Sequence, residues 1–298
     1  MDRKLVYEGA GGKERTDRYL REHLNISRER IKEFLRSGSI LVNGKTVSPS
    51  RLLQSGDEIT IKEASSIRDP LVRPECGHIE IIYEDSDIIA VNKPAGIITH
   101  PTTRILTGTL VNFLLYHTTL SSIGMPYRPG VVHRLDKETS GAVVFAKNDS
   151  SHNSLVRQFQ NREVEKEYIA VVQGDFKPLR LQVEFTVSPD RDNRTRMEVH
   201  YLRGKKALTV IEVLNHVDGL SVLKVKPVTG RTHQIRITLA HLGYPVIGDL
   251  KYGVASNLID RVALHSRRIT LSLPSTGEKI TFSASLPADL LTIVRERL

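Results

Sequence analysis

The side chains able to do chemistry gather in four stretches, all after residue 90: VNKPAGIITHP (91–101), HRLDKETSG (133–141), EKEYIAVVQG (165–174) and VTGRTHQIR (228–236), the last leading into HLGYPVIGDLKYG (241–253). Glycine and proline crowd them, the mark of specialised backbone turns, and functional residues collect on such loops. Asp136, close to Arg134 and Lys137, reads as a helix cap, a surface ion-pair partner or a reactive carboxylate. A Ser140–His133–Asp136 hydrolase triad fits poorly: Ser140 is not in a G-x-S-x-G elbow, and all three members would fall within eight consecutive residues. Zinc chemistry is disfavoured, because the 11 histidines show no H-E-x-x-H or equivalent spacing and there is one cysteine, Cys76. A glycosidase-type carboxylate pair needs a second acid flanking the bond. Asp249 in IGDLKYG stays open for that part, since spacing alone does not exclude it.

The elements that must hold these stretches read as a mixed pattern. IEIIYEDSDIIAVNKPAG gives two strands across a polar turn, GTLVNFLLYH a helix, GAVVFAK a strand, SHNSLVRQFQNR a helix and KEYIAVVQG a strand. LTVIEVLNHVDGLSVLKVKPVTG is a hairpin turning at Asp218-Gly219. RTHQIRITLAHLG follows as an amphipathic helix, and KITFSAS and a last helix close the chain. Frequent hairpins without strict βαβ alternation predict an α+β domain on a mixed, largely antiparallel sheet over residues 79–298. Residues 64–78, ASSIRDPLVRPECGH, mix Ser, Pro and charge without periodicity and read as a linker.

Residues 1–63 read as a small separate α/β module. TDRYLREHL is a short helix opened by Thr16, and Ser27 is a candidate N-cap for a second helix carrying Ile31, Phe34 and Leu35 inward. Arg28, Lys32 and Arg36 recur every four residues on its other side, a ridge suited to RNA phosphates. Gly38 ends that helix, SILVNGKTV turns at Asn43-Gly44, and GDEITIKE is a final strand. GSILVNGKT imitates a P-loop, but five residues separate Gly38 from Gly44 where the motif has four, and a strand lies between them.

The chain has 298 residues and 43 Lys plus Arg against 34 Asp plus Glu, a net charge of +9. An excess of that size favours a polyanionic partner. No apolar run approaches the roughly 18 residues of a membrane span, the first 20 residues have no signal-peptide pattern, and the lone cysteine forms no internal disulfide. The cytoplasm is the simplest compartment.

SRERIKEFLRSGSILVNGKTV with the following SGDEITI resembles the RNA-binding domain named after ribosomal small-subunit protein S-four. HRLDKETSG with Ala146-Lys147, VNKPAG with HP, EKEYIAVVQG, and TGRTHQIR through GDLKYG resemble, in this order, the motifs of the RluA-type pseudouridine synthase family; LHSRRITLSLPSTGEKITFSASLP resembles its C-terminal run. Together these cover residues 79–298. One departure is Thr238, where the family usually has a histidine.

The resemblance implies isomerisation of uridine to pseudouridine in RNA, with ribosomal RNA favoured and transfer RNA the runner-up, no cofactor and no metal. It makes Asp136 the catalytic carboxylate, acting on the ribose either by attack at the anomeric carbon or by taking a sugar proton. It gives Arg231 as the guanidinium that favours the anion and Tyr168 as the group that stacks near the ring and helps remove the C5 proton. Arg134 is placed by the same analogy at the site the flipped uridine vacates or at a flanking phosphate, and Lys93, Pro94 and His100 shape the pocket. A non-catalytic RNA-binding protein of the same fold is the competing class, which the trio Asp136, Tyr168 and Arg231 argues against.

Overall fold

The computed structural model describes residues 2–9, 13–24, 28–62, 72–193, 195–200 and 203–295. In the N-terminal module β1 (Arg3–Val6), α1 (Thr16–Leu24), α2 (Arg28–Ser37), β2 (Ile40–Val42) and β3 (Glu58–Ile61) make two helices over an antiparallel sheet of order β1-β3-β2. Leu20, Ile31, Phe34, Leu35, Ile40 and Ile59 form its buried core, so the inward stripe read on the second helix is the one that packs. Gly38 ends α2 at φ 75°, a left-handed position that glycine adopts without a Cβ clash. Asn43 and Gly44 make the expected turn, yet the chain pairs on through the single bridge Val42–Lys45. The strand that completes β2 is β3, more than a dozen residues later. The amino-terminal strand β1, absent from the sequence reading, covers the other edge of β3. Lys32 is half-buried and Arg36 exposed; the Arg28 side chain and the Ser27 cap lie outside the described residues.

The second domain is built on a ten-stranded sheet. Its strands are β4 (Glu80–Glu84), β5 (Ile88–Lys93), β6 (Ser140–Ala146), β7 (Glu165–Gln173), β8 (Arg180–Pro189), β9 (Met197–His200), β10 (Lys205–Val217), β11 (Leu220–Pro227), β12 (Leu264–Ser272) and β13 (Lys279–Ser283). The order is β4-β5-β6-β12-β7-β11-β10-β8-β9, with β13 beside β12. All pairings are antiparallel except β6 with β12. Around it lie α3 (Leu110–His117), α4 (Asp149–Asn161), α5 (Gln234–His241) and α6 (Ala288–Arg295).

Strands β5 and β6 are buried on both faces, which is why they read as continuous apolar runs. Ile89, Val91, Val143 and Phe145 point to one core with α3, α5 and α6, while Ile88, Ala90, Ala142 and Val144 point to another with Leu155 of α4 and Phe282 of β13. The linker reading of 64–78 needs correcting at its far end. Val72 is 1% exposed inside the large core, and Arg73 O accepts from Asn112 Nδ2 at 2.8 Å, so residues 72–78 belong to the second domain. Residues 63–71 lie outside the described part.

Strand β12 is what brings the functional stretches together. Gly141 of β6 stands opposite Ser266 of β12, and Ser266 stands opposite Tyr168 of β7. At Gly141, φ is 114° and a Cβ would lie 2.2 Å from Ser266 O, so only glycine permits the approach. The loop ending in β6 is thereby set one strand from Tyr168.

Candidate active site

Residues 132–136, 227–236, Lys166 and Tyr168 line a cleft of about 630 Å³. Among the described residues Asp136 is the one carboxylate in its wall, which also carries the cations Arg134, Arg162, Lys166, Arg231 and Arg236. Its backbone is fixed from several sides. Thr139 N–H donates to Asp136 O at 3.2 Å, and the Thr99 hydroxyl donates to Leu135 O at 2.8 Å and accepts from Leu135 N–H at 3.3 Å. Lys93, with no exposed surface, donates to Pro94 O, Ile97 O and Lys137 O at 2.9, 2.8 and 3.1 Å, which uses all three ammonium hydrogens. Burial pushes the Lys93 pKa down to about 7, against the pull of Asp136 and Glu138.

The guanidinium beside Asp136 is Arg236, not Arg231. Arg236 Nη1 donates to Asp136 Oδ2 at 3.3 Å. The expected partner, Arg231, also lines the cleft, but its Nε donates to Lys206 O at 2.9 Å. The reason lies in where α5 begins. Arg231 precedes the helix in a turn held by buried Gln234, whose Oε1 accepts from Thr229 Oγ1 and Arg231 N–H and whose Nε2 donates to Leu208 O and Thr209 Oγ1. Arg236 is within the first turn of α5, three residues after His233, so the two share a face.

Asp249 holds Arg236 from behind. Arg236 Nε and Nη2 donate to its two oxygens at 2.7 Å each, a bidentate pair, and the N–H groups of Lys251 and Tyr252 donate to Oδ1. Burial works against ionisation of Asp249, but Arg236 and these N–H groups outweigh it and hold its carboxyl below the usual range. With no exposed surface and both oxygens engaged, Asp249 is not the second acid of a carboxylate pair.

His233 adopts φ 54° ahead of α5 and places Nε2 3.8 Å from Asp136 Oδ2. Its Nδ1 lies 2.8 Å from the Tyr252 hydroxyl, which accepts from Met197 N–H at 2.7 Å. Arg236 also lies 5.2 Å from the Tyr252 ring centroid.

Tyr168 is buried in the cleft wall next to Ser266. Burial pushes its phenol up to about 12, the Asp136 charge adds to this, and Ser266 pulls the other way. It is neutral at pH 7. Arg134 is exposed at the cleft. His133 accepts from Val144 N–H at 2.9 Å through Nε2, stacks on Phe159, and is pushed down to about 3 by burial, which removes it as a base. Ser140 bonds His265 at 2.9 Å instead. His100, buried against Pro101 O, is pushed down to about 4 by burial. Sequence reasoning missed Arg236, His233 and Tyr252; the readable signal was the three-residue spacing of His233 and Arg236 at a helix start.

Known proteins resemble this chain along most of its length. Residues 87–241 match the family model described as RNA pseudouridylate synthase, and residues 14–59 match the S4 domain. The chain is 38% identical over 286 residues to the uncharacterized RNA pseudouridine synthase YlyB of Bacillus subtilis, covering 94% of this chain and 93% of that one. It is 37% identical over 304 residues to ribosomal large subunit pseudouridine synthase D of Neisseria meningitidis serogroup B, covering 97% and 80%. The solved structure of human RNA pseudouridylate synthase domain containing 1 superposes with a TM-score of 0.55 at 28% identity, over 74% of this chain and 96% of that one.

Proposed function

Because the chain belongs to the RNA pseudouridylate synthase family, we propose that Asp136 is its catalytic carboxylate and that it isomerises uridines of ribosomal RNA without a cofactor. The observation that carries this is the placement of Asp136 at 3.3 Å from the Arg236 guanidinium, in a cleft whose other charged side chains, among the described residues, are basic. The reaction breaks the bond from the anomeric carbon to N1 and forms one to C5. The C5 proton leaves, N1 regains a proton, and atoms and electrons balance within the uridine. A carboxylate suits the sugar step, since it opposes positive charge at the anomeric carbon or takes a sugar proton.

A folded RNA must surrender the base to such a cleft. Arg134, exposed beside Asp136, suits the vacated stack or a flanking phosphate, since its planar cation does both. Tyr168, neutral and in the cleft wall, suits holding the uracil while it turns. It can accept the C5 proton only as its own passes on. Ribosomal RNA is favoured by the relatives named ribosomal large subunit pseudouridine synthase D, 37% identical from Neisseria and 40% identical from Borreliella. In the S4-type module, Arg28, Lys32 and Arg36 supply phosphate contacts.

The test is release of tritium from ribosomal RNA labelled at uracil C5. Wild type should release it and Asp136→Asn should not, at unchanged RNA affinity. Tight binding of RNA by wild type with no release from any cellular RNA points to a non-catalytic binder.

A further inference from the structure

Among the described residues Lys166 is a cation without an anion within ion-pair distance. Strand β7 alternates faces, so Lys166 and Tyr168 share the cleft side while Glu165 and Glu167 point away. Those two acids are engaged elsewhere, Glu165 with Lys279 at 2.6 Å and Glu167 with Lys226 and Arg268 at 3.7 and 3.6 Å. Among the described residues Lys166 forms no ion pair. Its one hydrogen bond is a long one, 3.4 Å to Thr229 O. That leaves two ammonium hydrogens without an acceptor among the described residues. The cleft acid, Asp136, is committed to Arg236 and His233. Within the cleft the other charged groups near it are cations, Arg162 at the end of α4 and Arg231 across the cleft, while Glu165 and Glu167 border a second hollow that Lys166 also lines. A half-buried, unpaired ammonium is costly to keep unless a ligand completes it.

We infer that Lys166 is the binding site for an RNA backbone phosphate next to the nucleotide held in the cleft. The inference rests on the reading of the cleft as the uridine site. It names a contact that positions the substrate strand and takes no part in the bond changes. Burial pushes the Lys166 pKa down to about 8. In the free protein its charge is therefore lost just above neutrality, and a bound phosphate restores it.

The experiment measures RNA affinity in the Asp136→Asn background, so that binding is read without turnover and separately from the catalytic assignment. The probe is a fluorescein-labelled hairpin with a single loop uridine, made with natural phosphates or with one neutral methylphosphonate on either side of that uridine. Lys166→Met should weaken binding of the natural hairpin about three- to tenfold and lower the salt slope by roughly 0.7 to 0.9, one phosphate contact. One of the two methylphosphonates should cost wild-type Lys166 the same factor and cost the Met variant nothing further. Between pH 7 and 9 affinity should fall with Lys166 and stay level with Lys166→Arg, whose charge persists. The melting temperature of Lys166→Met should be equal or higher, because an uncompensated charge is removed. Full additivity of the methylphosphonate and Met losses at both positions, or a lower melting temperature, overturns the assignment.

Discussion

Arg236 serves two carboxylates at once, giving Asp249 two hydrogen bonds of 2.7 Å and Asp136 one of 3.3 Å. The fork to Asp249 fixes the plane of the guanidinium, and Nη1 is the edge left for Asp136. A lysine has no second edge. Arg236→Lys should therefore lower kcat by 100-fold or more while changing RNA affinity little. Arg231→Ala, at a position bonded to the Lys206 carbonyl, should act mainly on KM. Steady-state tritium release over a range of RNA concentrations separates the two; a larger kcat loss in the Arg231 variant contradicts the geometry.

Asp249 reaches neither the cleft nor solvent, so its effect must pass through Arg236. In Asp249→Ala the buried guanidinium keeps only Asp136, and breaking one side of a buried pair costs about 3–5 kcal/mol. Urea unfolding should show that loss. Asp249→Asn retains one acceptor oxygen and should lose less stability while still lowering kcat. If Asp249→Asn matches wild type in kcat, the locking of Arg236 is not needed for turnover.

The local patterns were legible because each is set by residues close in sequence. The β10–β11 hairpin turns at Asp218-Gly219 with φ 54° and 71°, as its sequence announces. Continuous apolar runs announce β5 and β6. What escaped was set by distant partners. Strand β12, from LHSRRITLS, joins β6 to β7, and its place depends on Gly141 meeting Ser266 across more than a hundred residues. Arg231 and Arg236 are equivalent in composition. Only the onset of α5 after His233 and the remote Asp249 decide which guanidinium meets Asp136. The compact motif HRLDKETSG singled out Asp136, and that residue lines the cleft while Glu138 of the same motif does not.

Tyr168 tests the late proton step. Its phenol, pushed up to about 12, stays protonated in the folded protein through the pH range where an unfolded tyrosine near 10 ionises. The sign follows: the raised pKa contributes stability that is complete below pH 10 and is lost as pH rises toward 12. Tyr168→Phe should therefore flatten the loss of unfolding free energy between pH 10 and 12. It should also slow tritium release by about a hundredfold or more, the range for proton-transfer groups, with RNA affinity preserved. Release at the wild-type rate would leave Tyr168 a packing residue.

Lys93 joins stability to catalysis by another route. Its ammonium ties the backbone at Pro94 and Ile97 to that of Lys137, the residue after Asp136. Lys93→Met withdraws that donor from buried carbonyls and should cost about 1–3 kcal/mol at pH 7, with a lower kcat as the Asp136 loop loosens. The pH dependence carries the opposite sign to that of Tyr168. A lysine lowered to about 7 from 10.5 binds more protons when unfolded, so its contribution makes stability rise with pH between those values. Urea unfolding at pH 7 and pH 9 should show that rise in wild type and a smaller one in Lys93→Met. An equal rise in both would mean that Lys93 keeps its proton across this range, and that its carbonyl contacts, rather than its desolvation, set its charge.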